Sequence, residues 1–140
     1  MAVNLQIPAE SEVHAVAGVE IGITAAGIHK SGRPDLTVFR LAPNSSVAGV
    51  FTTNRFRAAP VQVSEAHLHS DADTRALVIN TGNANAATGE SGLQNARLSC
   101  EELANLLDLR PSQVLPFSTG VILEPLPVEK LVAALPAAVA

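Results

Sequence analysis

Ala76-Leu77-Val78-Ile79-Asn80-Thr81-Gly82-Asn83-Ala84-Asn85-Ala86-Ala87-Thr88-Gly89 joins an apolar run to ten residues holding three asparagines, two glycines and two threonines. The run Leu77-Val78-Ile79 reads as a short buried strand. The stretch from Asn80 to Gly89 contains more turn formers than a surface loop requires. Three carboxamides spaced by glycine and alanine suggest a backbone held close to something, with amides free to donate and accept. Taken alone, the string also fits a turn-rich loop between a strand and a helix. The helix is the clearest element of the chain. Leu93, Ala96, Cys100, Leu103, Ala104 and Leu107 recur at the helical period and predict one buried stripe over residues 91–109. Arg110-Pro111 ends it, because proline disfavours helical geometry in the residue before it.

Upstream, residues 1–12 read as a polar lead-in. Val13 to Gly27 is small and apolar, with glycines at 18, 22 and 27. A turn is expected over His29-Lys30-Ser31-Gly32-Arg33-Pro34. Strands are predicted for Leu36–Leu41, for Val47–Thr52 after the Pro43-Asn44-Ser45-Ser46 turn, and for Pro60–Ser64. Downstream, Val114-Leu115-Pro116-Phe117 is extended and runs into Ser118-Thr119-Gly120. A last helix is expected from Pro127, a favoured first helical residue, with Val128, Leu131, Val132 and Leu135 on one face. Strands precede helices, so the class is α/β or α+β, layered, with one domain over residues 1–140.

Composition narrows the partners. The chain has 140 residues, 47% of them apolar and 16% charged, with a net charge of −4. It holds four Phe and no Trp or Tyr, so its core is aliphatic and it lacks the base-stacking surface of single-stranded nucleic-acid binders. The negative balance argues against nucleic acid or an anionic membrane as the main partner. Residues 1–10 have no secretory pattern, and the apolar tail Leu131–Ala140 is far below membrane-spanning length. The one cysteine, Cys100, is compatible with a reducing compartment, and the expected location is the cytoplasm.

Several residues invite a chemical reading. Ser118-Thr119-Gly120 ends an extended segment and can present a hydroxyl and a backbone N–H together, the donors that an acyl-transfer oxyanion needs. It equally fits an ordinary strand-to-turn transition. His67 and His69 could share a face, but their surroundings read as an exposed turn and no further Cys or His completes a metal site. His14 and His29 are isolated. Cys100 lies on the buried stripe and reads as an inert core thiol. Arg55 and Arg57 could bind a carboxylate or form a solvated edge. The glycine spacings match no nucleotide loop, so no NAD or ATP is expected and no cofactor is called for.

Taken together, four blocks resemble one family. Val16-Ala17-Gly18-Val19 through Gly27-Ile28-His29-Lys30 and Arg33-Pro34-Asp35-Leu36 form the first. Gly49-Val50-Phe51-Thr52-Thr53-Asn54-Arg55 with Ala58-Ala59-Pro60-Val61 form the second. Ala76–Gly89 is the third and Leu115–Ile122 the fourth. In order and over nearly the whole chain, they resemble the bifunctional ornithine acetyltransferase / glutamate N-acetyltransferase family of arginine biosynthesis. Ala87 stands where that family often has cysteine, and Leu123 where it usually has glycine.

The resemblance implies a layered α/β sandwich made from a precursor that cuts itself into α and β chains. The N-terminal threonine of the β chain takes acetyl from N-acetylornithine and passes it to glutamate, and some members also use acetyl-CoA. An α2β2 assembly is implied. Thr119 and Gly120 match the family's oxyanion-hole pair, through the threonine hydroxyl and the glycine N–H. The nucleophile lies beyond the matched part, so the chain is expected to be the N-terminal portion of an α chain, inactive alone and incomplete at its C-terminus. Its apolar faces are expected to seek partners. A non-catalytic binding module and a self-processing N-terminal-nucleophile hydrolase are the alternatives.

Overall fold

Four strands and three helices form from residues 6–28, 32–70 and 73–140, which the computed structural model describes. Chain order is β1 (Val19–Thr24), β2 (Leu36–Leu41), α1 (Ala59–Leu68), β3 (Ala76–Asn83), α2 (Gly89–Leu107), β4 (Val114–Val121) and α3 (Val128–Val139). Short 3-10 turns occupy Glu10–Glu12 and Pro111–Gln113. The sheet order is β1-β2-β3-β4. The first two pairings are antiparallel and the third is parallel. A parallel pair needs a long crossover, and α2 supplies it between β3 and β4.

The mixed α/β class is therefore correct, and β2 has the bounds read from the sequence. Alternation explains β2 and β3: Leu36, Val38, Ala76 and Val78 are buried toward the helices, while Thr37, Phe39, Leu77 and Ile79 point the other way and are half-buried. The core closes with Val63 of α1, Ala96, Cys100, Leu103 and Ala104 of α2, and Leu131 and Leu135 of α3. The predicted stripe on α2 is thus the buried one. That helix stops at Leu107, earlier than expected, because Asp108 turns left-handed with φ 55° and ψ 48°. α3 begins at Val128, with Pro127 as its cap.

Three expectations fail. Residues 60–64 are helix rather than strand. Pro60 sits in the first turn of α1, where its missing N–H costs nothing, and Ala59, Pro60, Val63 and Ser64 are buried at the helical period. Residues 47–52 have no regular structure. The outer edge of β4 that a further strand could have joined is taken by α1: Ser64 Oγ donates to the Pro116 carbonyl at 2.7 Å, and His67 Nδ1 donates to the Val114 carbonyl at 2.8 Å. A helix so placed covers a sheet edge. Third, His67 is in the last turn of α1 and not in an exposed turn.

β1 is a strand that the sequence pattern leaves unassigned. Its Gly22 faces α3, where an added Cβ would lie 1.6 Å from the Ala138 carbonyl oxygen, so only glycine lets the helix pass this close. Of the turn expected over 29–34, Gly32 and Arg33 form a turn and bend, while residues 29–31 lie outside the described residues, as do Asp71 and Ala72 and the first five residues of the lead-in.

Register aligns two rows, apolar except for Thr37, on the face away from the helices. Ile21, Phe39, Leu77 and Leu115 form one row, and Ile23, Thr37, Ile79 and Phe117 the next. Ile21, Ile23 and Phe117 are 56%, 60% and 43% exposed. Uncovered apolar surface was the expectation for this chain, and on this face Ile21, Ile23 and Phe117 are exposed while Leu115 is buried. Among the described residues, no helix is long and apolar enough to cross a membrane.

Candidate functional site

The carboxamide-rich stretch and the Ser-Thr-Gly triplet meet across the parallel β3–β4 pair. Asn80 stands opposite Ser118, Thr81 opposite Thr119, and Gly82 opposite Gly120. Just beyond, the register shifts so that Asn83 pairs with both Thr119 and Val121, and the ladder bulges. Gly120 has φ 137°, and a Cβ there would lie 2.3 Å from the Gly82 carbonyl carbon and 2.5 Å from the Asn83 nitrogen. Only glycine fits. Four of the ten residues from Asn80 to Gly89, expected to be loop, are therefore strand.

The asparagines face inward. Asn80, Asn83 and Asn85 are 1%, 4% and 0% exposed. Asn80 Nδ2 donates to the Asn83 carbonyl at 2.8 Å, and Asn80 Oδ1 accepts from Ser118 Oγ at 2.6 Å. Asn83 Nδ2 donates to the carbonyls of Glu124 and Pro125 at 3.1 and 3.2 Å. Asn83 Oδ1 accepts the Asn85 N–H at 2.8 Å. Asn85 Nδ2 donates to the Gly92 carbonyl at 2.9 Å, while its Oδ1 accepts from Thr88 Oγ1 at 2.9 Å. Amides expected to be free to donate and accept are instead committed to their own chain. Burial demands this, since an unpaired buried amide costs about 1–3 kcal/mol.

The effect is to pin residues 119–123 at both ends. Asn80 holds Ser118 before them, and Asn83 holds Glu124 and Pro125 after them. Between these, Ala84 donates its N–H to the Val121 carbonyl at 2.8 Å, and Leu123 donates its N–H to the Ala86 carbonyl at 2.9 Å. Leu123 has φ 66°, a left-handed conformation that suits the glycine usual in the resembled family. Thr119 and Gly120 are exposed at this end of β4. Beside them a cleft of about 260 Å³ opens between Phe51, Pro60, Val61, Pro116, Phe117 and Ser118.

The other candidates lie apart from this arch. His67 is bonded to the Val114 carbonyl of β4, and the ring of His69 lies 6.2 Å from that of Phe51. Among the described residues, no three His, Cys, Asp or Glu side chains gather as a metal site. Cys100 is fully buried, and burial, aided by Glu101, pushes its thiol up to about 12. Arg55 and Arg57 line a cleft of about 250 Å³ against Thr88 and Gly89, but Arg57 is paired with Glu65. One polar residue had no role assigned from sequence. Asp35 is 8% exposed and accepts the backbone N–H groups of Ala26, Gly27 and Ile28 at 2.6, 3.3 and 2.7 Å. The only signal for it was a lone carboxylate between Pro34 and a strand.

Residues 20–140 match the model of the ArgJ family. The structure resembles that of the arginine biosynthesis bifunctional protein argJ from Bacillus halodurans, with 30% identity and a TM-score of 0.80 over 85% of this chain and 62% of that one. It also resembles ornithine acetyltransferase from Mycobacterium tuberculosis, solved with ornithine. There the identity is 36% and the TM-score 0.83, over 88% of this chain and 66% of that one. The chain thus spans less than two thirds of either structure's length. With the match running over all three helices, all four strands and the pinned arch, the chain belongs to the ArgJ family.

Proposed function

We propose that this chain works in an acetyltransferase of arginine biosynthesis that moves acetyl from N-acetylornithine to glutamate. Thr119 and Gly120 are its oxyanion hole. The observation that carries this reading is the family match over residues 20–140, which brings with it a Thr-Gly pair held at the exposed end of β4.

The chemistry is set by where charge develops. A threonine hydroxyl at the N-terminus of a β chain attacks the acetyl carbonyl, its proton passing to that threonine's own free amine. The carbonyl electrons move onto oxygen, and the Thr119 hydroxyl and Gly120 N–H donate to the resulting negative charge. Collapse expels the ornithine amine, which takes the proton, and leaves an acetyl ester on threonine. The glutamate amine then attacks the ester carbonyl through a second oxyanion held by the same donors; collapse breaks the ester C–O bond, and the threonine oxygen leaves with the proton lost by the glutamate amine, relayed through the free amine. No cofactor enters either step, and acetyl-CoA could load the ester as an alternative donor. The β chain of the same precursor supplies the nucleophile in an α2β2 assembly, and the two open apolar rows of the sheet suit a face that a partner covers.

The test uses protein expressed from the complete reading frame. Acetyl transfer from N-acetylornithine to glutamate is measured for wild type and Thr119→Ala. The expected result is transfer by wild type and a loss of about 10²- to 10³-fold in kcat for the variant. Absence of transfer by wild type, release of acetate with no dependence on glutamate, or an unchanged rate in Thr119→Ala would overturn the proposal.

A further inference from the structure

We infer that Ser118 and Asn80 are positioning residues of the oxyanion hole, an inference that rests on the proposed acetyl transfer. Ser118 directly precedes Thr119, and its hydroxyl donates to Asn80 Oδ1 at 2.6 Å. Asn80 is 1% exposed, and its Nδ2 is fixed in turn on the Asn83 carbonyl at 2.8 Å. Two bonds on one amide fix its plane, so the acceptor offered to Ser118 has one direction. The residue paired with Asn80 across the ladder is the same Ser118, so side-chain and backbone registers agree.

The arrangement matters because the pair beyond it lacks such support from its own side chains. Gly120 has none, and Thr119 is exposed with no side-chain hydrogen bond among the described residues. The ladder is also irregular there, shifting register between Gly82 and Asn83. A regular strand would hold the backbone of Thr119 and Gly120 in place by its own hydrogen bonds, whereas a bulge leaves that placement to neighbouring anchors. The last side-chain anchor before the pair is Ser118–Asn80, and the first after it is Asn83 on Glu124 and Pro125. Asn80 also binds the Asn83 carbonyl, so it joins both anchors. Donors that must meet a developing charge without reorganising need that fixity. Neither Ser118 nor Asn80 touches the reacting atoms; they act through Thr119 and Gly120.

The test is a double-mutant cycle in the protein from the complete reading frame, with Ser118→Ala, Thr119→Ala and the pair combined. Ser118→Ala is expected to lower kcat by about ten- to a hundredfold with KM little changed, since small misplacement of catalytic donors costs that much. Ser118→Thr, which keeps the hydroxyl, is expected to restore most of the rate. Added to Thr119→Ala, Ser118→Ala should cost little more, because residues acting as a unit are not additive. A purely structural role would lower activity in proportion to folded protein in both backgrounds. Should Ser118→Ala fail to fold, Ser118→Cys carries the same cycle. If Thr119→Ala is slow but Ser118→Ala keeps kcat within about twofold, or if the two losses multiply, this inference falls while the function stands. If Thr119→Ala is as fast as wild type, the function itself has failed.

Discussion

Leu123 donates its backbone N–H to the Ala86 carbonyl at 2.9 Å while its own φ stands at 66°. The bond ties the segment after β4 to the asparagine-rich stretch, but the conformation crowds a Cβ against the following carbonyl at a cost of about 1–2 kcal/mol. With 71% of the residue exposed, the leucine side chain recovers little by burial. Leu123→Gly removes the crowding and adds about 0.5–1 kcal/mol of unfolded-state freedom. A net gain of up to about 1 kcal/mol is expected, seen as a higher urea midpoint at unchanged slope. Leu123→Ala keeps the Cβ and should give no gain. A lower midpoint for Leu123→Gly would show that the turn carries no strain here.

Gly120 admits no side chain, and this is a statement about stability before it is one about catalysis. A Cβ would meet the backbone of Gly82 and Asn83 at 2.3 and 2.5 Å, and backbone cannot swing aside. Gly120→Ala should part β3 from β4 locally and cost about 3 kcal/mol or more. Amide hydrogen exchange over residues 80–83 should rise with it. Exchange and stability close to wild type would mean that the strands part easily. Activity loss in Gly120→Ala is therefore ambiguous, whereas Thr119→Ala leaves the backbone intact.

What the sequence made legible was whatever local pattern decides. β2 alternates on its own, and the α2 stripe of Ala96, Cys100, Leu103 and Ala104 is set by spacing. Pro60-Val61-Gln62-Val63 alternates as well, yet a proline prepared for a first helical turn and a buried surface of Pro60, Val63 and Ser64 at i, i+3 and i+4 decided for helix. Val47–Thr52 has strand composition, but the nearby sheet edge belongs to α1 through Ser64 and His67. β1 was hidden because Gly22, which weakens a strand locally, is demanded by the distant Ala138. The same holds at the site. Thr119 and Gly120 are proposed on the resemblance, but no local rule tells whether an asparagine faces a ligand or its own chain. Asn83 finds its acceptors 41 and 42 residues away, so only tertiary closure determines its role.

Asn85 tests that buried network at its far end. It is fully buried, sits at φ 45°, which asparagine tolerates better than most, and gives its Nδ2 to Gly92. Gly92 leaves the room: a Cβ there would lie 1.9 Å from Thr88 Oγ1 and 2.7 Å from Asn85 Oδ1. Asn85→Asp keeps the size but turns the donor into an acceptor against a carbonyl and buries a charge. A loss of about 2–4 kcal/mol is expected at pH 7. Burial raises the new carboxyl's pKa, so the defect should shrink as pH falls and the protonated acid regains a donor. A defect that is independent of pH would exclude this account and point to backbone strain instead.

Cys100 supplies the alkaline prediction. Its thiol is fully buried on α2 and pushed up to about 12, first by burial and second by Glu101. The unfolded chain releases that proton near 9.0, the ordinary value. Below that pH both states hold the proton and the residue contributes nothing to pH dependence. Between about 9 and about 12 the unfolded state is ionised and the folded state is not, so unfolding is favoured as pH rises. The slope approaches about 1.4 kcal/mol per pH unit for one site. Cys100→Ala should flatten this limb, although it also loses packing and lowers stability at pH 7. In the native protein the thiol should resist iodoacetamide at pH 8, since the thiolate is the nucleophile and neither it nor a path to it is present. Alkylation should instead follow unfolding and rise steeply across the urea transition. Rapid labelling of folded protein at pH 8 would show that α2 opens far more readily than its buried stripe implies.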